Sequence, residues 1–447
     1  MKLDKFVQMI RQKINNDKGK IDFSNTQFFV AFFMTIGIIL TALGAVISHG
    51  SLFEHIFWSD TLDTGMDFFH SIEYVKGRVP YEKWNTLYPP LANLFFLLLY
   101  NVIPATQSSN WENNFIDSIM ARGTYRDLRT QQAPMILFIL FIIITVLLLY
   151  KLVNGYFKQY KYVNVLTFCF IFNLGILWAY ERGNIIVLSV ILCIYFVQYR
   201  NSQDKIKSEI ALICLALSAG LKIYPAFLGV LLIYEKQYKK AMRAVLYGVL
   251  SFILPCFVFK EGWRCIPLFL KILATHSDIQ TLNCDGFSAD RIASSVTMII
   301  SKFLKLQINE SLLVSVYSKL NIICCVLLLV AGFFLRKEWQ RILTVCLAII
   351  VYSVQGIYIV SFLLLPLLLF IREEKSIGTD NIVPVMALIL ATMIFPDYGI
   401  VYDEITPSIF RIQLAVVILF VYILKKVIRN VKKINTVENK SRIQENI

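Results

Sequence analysis

Long apolar runs broken by short polar clusters set the pattern of this 447-residue chain. The runs lie near residues 27–49, 134–153, 162–180, 184–199, 208–221, 223–235, 241–260, 311–335, 341–354, 357–371, 381–396 and 410–424. A helix needs about 20 apolar residues to cross a bilayer core of about 30 Å. The pattern therefore predicts an all-α integral membrane protein, a bundle of about twelve transmembrane helices. Several runs fall short of that length, which predicts close hairpins or buried breaks. Residues 1–26 read as a basic tail, 27–424 as one polytopic membrane domain and 425–447 as a second basic tail. Two stretches, 50–133 and 261–310, are too polar to span and read as large loops.

The run 89–104 decides the topology, because every later loop changes side if it crosses. Short basic loops stay in the cytoplasm. With 89–104 re-entrant or interfacial, all the strongly basic segments fall on one side. These are the N-terminal tail, the loops carrying Lys151, Lys158 and Lys161, Arg200, Lys205 and Lys207, Lys236, Lys239, Lys240 and Arg243, Arg336, Lys337 and Arg341, Arg372 and Lys375, and the tail from Lys425. If it crosses, the basic loops after it flip outward. The expectation is a multi-pass membrane protein with both termini cytoplasmic and both large loops extracytoplasmic.

Composition agrees. Hydrophobic residues make up 57% of the chain and charged residues 17%, against about 25% charged in soluble domains, and the mean hydropathy is +0.63. A net charge of +14 would suit nucleic acid, but the cations sit in short loops between apolar runs and read as orientation signals. Most of the nine cysteines lie inside apolar runs and read as small buried hydrophobes. Cys265 and Cys284 share one polar loop, where a disulfide would require an extracytoplasmic location. No CxxC or His-rich metal pattern occurs. The first run begins too far from the start for a signal peptide, which predicts an uncleaved helix.

The polar stretch Asp60–Pro90 is the candidate organising element. It opens as a helix, capped by Asp60 or Thr61, ended by Gly77 and barred from continuing by Pro80. Asp60, Asp63 and Asp67 stand at i, i+3 and i+7 and share one face, with His70 and Ser71 a turn beyond Asp67. In an ordinary loop these would be surface acids. Here the predicted topology puts them on the same side as Glu181-Arg182-Gly183-Asn184, Lys222-Ile223-Tyr224-Pro225, Gln355, Tyr358 and Arg411, together with His49, His55, His70 and His276. Convergence of ionisable groups on one membrane face marks a site opening to that face.

Each group has a bland and a chemical reading. Lys222 is either a lysine reaching to the interface or a compact charge for an anionic phosphate. Arg182 either neutralises Glu181 or lines a cavity with Asn184, which would also cap a helix. Tyr224 joins them as a donor-phosphate or sugar contact. His70, Tyr81, Tyr88, Arg264, Gln355, Tyr358 and Arg411 are candidates for a substrate cavity, against structural or aromatic-belt roles. In a transferase, Asp67 would be the general base, its basicity raised by desolvation. It would take a proton from an acceptor hydroxyl attacking an activated sugar carbon, while Lys222 or Arg182 steadies the departing phosphate. No glycine-rich nucleotide fingerprint is present, which suits a donor already held in the membrane as a lipid phosphate.

The order of these motifs resembles the bacterial polyprenyl-phosphate-dependent glycosyltransferases of family 87, GT-C fold enzymes related to polytopic mannosyl- and arabinofuranosyltransferases. The resemblance rests on Asp67-Phe68, then Gly77 and Pro80-Tyr81, then Tyr88-Pro89-Pro90-Leu91, then ERGNIIVL and AGLKIYPAFLGVLLIY, and covers roughly residues 60 to 245. It implies Asp67 as general base, with Asp63 the alternative one turn away, and Asn184 and Lys222 near the donor. The family's Gln is replaced around Arg182-Gly183, and its central Asn-x-Ser element is only faintly echoed by Gly286-Phe287-Ser288.

The implied activity is inverting transfer of a mannose-like or arabinose-like sugar from a polyprenyl-phosphate donor to an extracytoplasmic hydroxyl, in a cell-envelope glycolipid or polysaccharide. No cofactor is expected, and the carboxylates Asp60, Asp63 and Asp67 are the one set that would suit a divalent metal. The rivals are a polysaccharide polymerase using lipid-diphosphate oligosaccharides and a lipid-linked sugar flippase. A transporter tends to show internal repeats with matched broken helices, and no repeat between the halves is evident.

Overall fold

The computed structural model describes residues 23–57, 64–108, 128–276, 283–305, 310–317, 319–353, 356–397 and 405–445. The principal helices are α1 (Thr26–Ile47), α2 (Ser51–Phe57), α3 (Met66–Tyr74), α4 (Pro90–Tyr100), α5 (Gln132–Phe157), α6 (Val163–Ile171), α7 (Leu174–Arg182), α8 (Ile186–Tyr199) and α9 (Lys205–Leu221). They continue as α10 (Val230–Tyr234), α11 (Tyr238–Cys256), α12 (Cys265–His276), α13 (Ala289–Leu304), α14 (Leu320–Ala331), α15 (Glu338–Tyr352), α16 (Leu364–Glu373), α17 (Thr379–Thr392) and α18 (Pro407–Glu445). Among the described residues there is no strand, only isolated bridges pairing Asn25 with Ser376 and Asn173 with Met393.

Among the described residues four helical stretches are long and apolar enough to cross a membrane: Thr26–Ile47, Gln132–Phe157, Leu312–Phe334 and Pro407–Lys433. They fall on four of the runs read from the sequence. Other runs are shorter helices, among them Ile186–Tyr199 and Thr379–Thr392. The run 162–180 is two helices rather than one. Asn173 breaks it: its side chain donates to the Phe170 carbonyl at 2.6 Å and accepts from the Ile176 N–H at 3.1 Å, ending α6 and capping α7. Helix α4 has 11 residues, a rise of about 16 Å, which covers about half of a bilayer core.

Close packing of α8 against α9 fixes the centre of the fold. Ser218 and Ser189 hydroxyls lie 2.7 Å apart and the Cys193 thiol is 3.0 Å from Ser218, small polar residues that let the two backbones approach. Beyond the far end of α8, Arg200 is buried between Glu235 at 2.7 Å and Glu338 at 2.6 Å, and Glu338 also takes Arg372 at 2.6 Å. A buried guanidinium survives only when paired in this way, and the network clamps α8, the turn after α10, α15 and α16 together.

The apolar interior forms two clusters. The larger is built on α8, α15, α16 and α17, the smaller on Phe68, Phe69, Ile72, Phe96, Phe259 and Phe269. The chain passes from one to the other at two places. Ile185 belongs to the smaller cluster and Ile186 to the larger, and Leu221 and Tyr224 divide in the same way. The polar residues at those crossings are Asn184, which bonds Asp67, and Lys222, whose charge acts on the same carboxylate.

Candidate active site

Asp67 is in the first turn of α3, whose start is set by Gly65 at φ +74°. The Gly65 N–H donates to the Glu181 carbonyl at 2.8 Å, and the Thr64 hydroxyl donates to the Glu181 carboxylate at 2.6 Å. This ties the entry of α3 to the end of α7. Phe68, Phe69 and Ile72 then bury the apolar face of the helix.

The partner of Asp67 is the turn that leaves α7. Gly183 ends that helix in the left-handed region, φ +66°, a conformation that carries little cost for glycine. A side chain there would also collide, since an added Cβ would lie 2.6 Å from the Phe68 Cβ. The reversal points the residues on either side of Gly183 at one carboxylate. Arg182 donates through Nη2 to Asp67 Oδ1 at 3.0 Å and through Nε to Oδ2 at 3.4 Å, and Asn184 donates through Nδ2 to Oδ2 at 2.7 Å. The Asn184 oxygen accepts the Ile186 N–H at 2.9 Å and so caps α8.

Lys222 follows α9 in an extended conformation, before Pro225. Its side chain is buried, with Nζ 4.2 Å from the Tyr88 ring centre and 5.8 Å from that of Tyr358. Cation–π attraction to two rings partly offsets the lost hydration. No carboxylate and no hydrogen-bond acceptor engages this ammonium among the described residues. Burial lowers it to about 8, with Asp67 opposing the shift and Arg182 adding to it. Burial raises the Asp67 carboxyl, against the pull of Lys222 and of the Asn184 hydrogen bond.

Three tyrosines wall the site. The Tyr88 carbonyl accepts from the Tyr81 hydroxyl at 2.9 Å and from Asn93 Nδ2 at 3.2 Å, which fixes the ring under Lys222. Tyr358 lies beside Asp67, Arg182 and Asn184. Tyr224 packs edge-on against Phe362, its hydroxyl buried with no hydrogen-bond partner among the described residues. Ser71 donates to the Asp67 carbonyl at 2.5 Å.

The structure thus brings together Asp67, Arg182, Asn184, Lys222, Tyr224, Tyr88 and Tyr358. Others found in the sequence have different partners. His70 is buried and stacked on Tyr74, with ring centres 5.7 Å apart. Tyr81 supports Tyr88 from behind rather than lining the site. Arg264 is on the surface, 3.3 Å from Glu82. Arg411 closes the end of α17 through the Leu390 and Met393 carbonyls. Asp63 and Gln355 lie outside the described residues. None of the nine cysteines is in a disulfide; Cys265 donates to Glu261 at 3.3 Å, and the Cys284 carbonyl accepts from Gln413 at 3.0 Å.

One supporting residue left no trace in the sequence reading. Glu261, itself buried, accepts the Tyr81 and Glu82 N–H groups at 2.9 and 2.6 Å and so holds the turn that carries Tyr81. Among the described residues no group of three or more His, Cys, Asp or Glu side chains is placed to hold a metal.

An apolar groove of about 520 Å³ opens beside the site. It runs between α1, α2, α5 and α7, lined by Ile38, Phe53, Phe57, Ile142 and Leu177, with Thr64 and Glu181 as its polar end. Glu181 precedes Arg182, so the groove ends next to the Asp67 cluster.

The sequence model of Glycosyltransferase family 87 matches residues 86–352. That interval carries Tyr88, Arg182, Asn184, Lys222 and Tyr224, while Asp67 lies just before it. No curated protein and no solved structure matches the chain.

Proposed function

The chain belongs to glycosyltransferase family 87, and on that premise we propose that it transfers a mannose-like or arabinose-like sugar from a polyprenyl phosphate to a hydroxyl group of a cell-envelope glycolipid or polysaccharide, at a site on the extracytoplasmic side of the plasma membrane. The observation that carries the reading is Lys222, a buried ammonium free of hydrogen bonds among the described residues, on the same site as a carboxylate held by Arg182 and Asn184. A buried cation with open donors suits a phosphate, and a desolvated carboxylate beside it suits a base.

In this reading Asp67 accepts the proton of the acceptor hydroxyl as that oxygen attacks the anomeric carbon. The bond from that carbon to the phosphate oxygen breaks, the configuration inverts, and the polyprenyl phosphate leaves with the bonding pair. Lys222, helped by Arg182, meets the negative charge that grows on it. Asn184 and Tyr224 contact the donor. The apolar groove ending at Thr64 and Glu181 supports a substrate with a hydrocarbon tail. In this reading the chain crosses the membrane twelve times with both termini in the cytoplasm, a topology that the one-sided basic loops support and that would open the site to the outer face.

The test is sugar transfer by purified protein in detergent, with a panel of polyprenyl-phosphate sugars and a membrane lipid extract, wild type beside Asp67→Asn. A new glycoconjugate from wild type alone, with the variant still folded, supports the enzyme and its base. Equal activity in both moves the base to Asp63. Movement of lipid-linked sugars across vesicles with no transfer to any acceptor would replace the enzyme by a flippase.

A further inference from the structure

At one end of the bundle, α17 and α18 enclose a groove of about 500 Å³ with two unlike walls. Its floor is apolar, from Val383 on α17 and Val417 and Val421 on α18, while its rim carries Lys425, Lys426, Arg429 and Asp380. Tyr422 closes the inner side and is fixed there by the Gln340 side chain, which donates to its hydroxyl at 2.8 Å.

The rim is positive on balance. Asp380 is the only carboxylate lining the groove among the described residues, and both Lys426, at 3.2 Å, and Arg429, at 2.8 Å, converge on it. Lys425 has no acceptor among the described residues. Three cations facing one carboxylate leave a surplus of two charges. This rim falls where the apolar part of α18 gives way to the sequence KKVIRNVKK, at the depth of the lipid headgroups. Helix α18 is anchored there on a second side, since Asn430 Nδ2 donates to the Phe334 carbonyl at 2.9 Å, so the groove is a fixed feature of the packing.

We propose that this groove seats one anionic phospholipid, its phosphate at Lys425 and Arg429 and an acyl chain along Val383, Val417 and Val421. Charge complementarity selects the headgroup, and the apolar floor selects a lipid over a soluble anion. Basic pockets between membrane helices are suited to such headgroups. The proposal does not rest on the glycosyltransferase reading, and its test does not measure sugar transfer.

The experiment is native mass spectrometry of the full chain in detergent, titrated separately with phosphatidylglycerol and with phosphatidylcholine. Wild type is expected to retain one phosphatidylglycerol in preference to phosphatidylcholine. Lys425→Gln, which removes no bond among the described residues, should weaken that retention about fivefold, and Lys425→Gln with Arg429→Gln about 30-fold, the order expected for one and two headgroup contacts. Val421→Trp, on an exposed position of the floor, should lower retention while leaving the rim charges in place. Equal retention of both lipids by wild type, or unchanged phosphatidylglycerol binding in Lys425→Gln, would overturn the proposal. So would displacement of the lipid by millimolar inorganic phosphate, which would mark a soluble-anion site.

Discussion

Asn184 holds Asp67 and begins α8 with the same side chain. Its amide nitrogen lies 2.7 Å from Asp67 Oδ2 while its oxygen accepts the Ile186 N–H at 2.9 Å. The second bond fixes which end of the amide faces the carboxylate, so the donor cannot turn away. A hydrogen bond to a charged group contributes about 1.5–3 kcal/mol. Asn184→Ala is therefore expected to lower kcat/KM by about ten- to a hundredfold. Asn184→Asp, which sets two carboxylates together, should cost more. Steady-state transfer rates of the three proteins, each checked for folding, would decide it, and an Asn184→Asp variant as active as wild type would remove Asn184 from the site.

Gly183 makes that geometry available. At φ +66° an alanine is strained, and its Cβ would meet Phe68 at 2.6 Å and Phe138 at 2.8 Å. Gly183→Ala should destabilise the protein by about 1–3 kcal/mol and shift Arg182 and Asn184 together. Thermal unfolding in detergent measures the first effect. The second predicts that activity per folded molecule falls as well, which a stability defect alone would not produce.

How far the sequence led can be argued from these residues. Arg182, Asn184 and Lys222 stood out because each is a polar group at the edge of an apolar run, where burial without a partner is expensive, and Asp67 because it shares a helix face with two other acids in a polar stretch on the same predicted side. Tyr81, Arg264 and Arg411 carried the same signal for a different reason. They are polar because a turn, a surface pair and a helix end need them, and a linear pattern cannot separate such needs from chemistry. Glu261 was hidden because its bonds to Tyr81 and Glu82 span some 180 residues. The break at Asn173 was hidden because the residues on both sides stay apolar, and one asparagine that satisfies its own backbone leaves the hydropathy unchanged.

The charges at the site predict a bell-shaped dependence of kcat/KM on pH. Burial raises Asp67 above the ordinary carboxylate value of about 4, so activity should fall on the acid side at a pH higher than that. Burial lowers Lys222 to about 8, so the alkaline limb should fall as pH rises through that value. Lys222→Arg should remove the alkaline limb, because a guanidinium keeps its proton. Stability follows the opposite signs. A raised Asp67 binds more protons folded than unfolded, so its contribution declines as pH rises from about 4 to its folded value. A lowered Lys222 binds fewer, so its contribution grows from about pH 8 to about 10.4. A flat profile above pH 7 that Lys222→Arg does not change would remove Lys222 from the mechanism.

Tyr224 separates a binding group from a structural one. Its hydroxyl is buried and makes no hydrogen bond among the described residues, and an unmet buried donor costs about 1–3 kcal/mol. Tyr224→Phe keeps the edge-on contact with Phe362, at 5.6 Å between ring centres, and removes the unmet group. The substrate-free protein should then unfold at the same temperature or a higher one. Donor binding should weaken, with KM rising about five- to tenfold for loss of one hydrogen bond of about 1–1.5 kcal/mol. A variant that melts higher and binds donor worse has lost a group kept for the ligand, whereas one that melts lower with KM unchanged would return Tyr224 to the core.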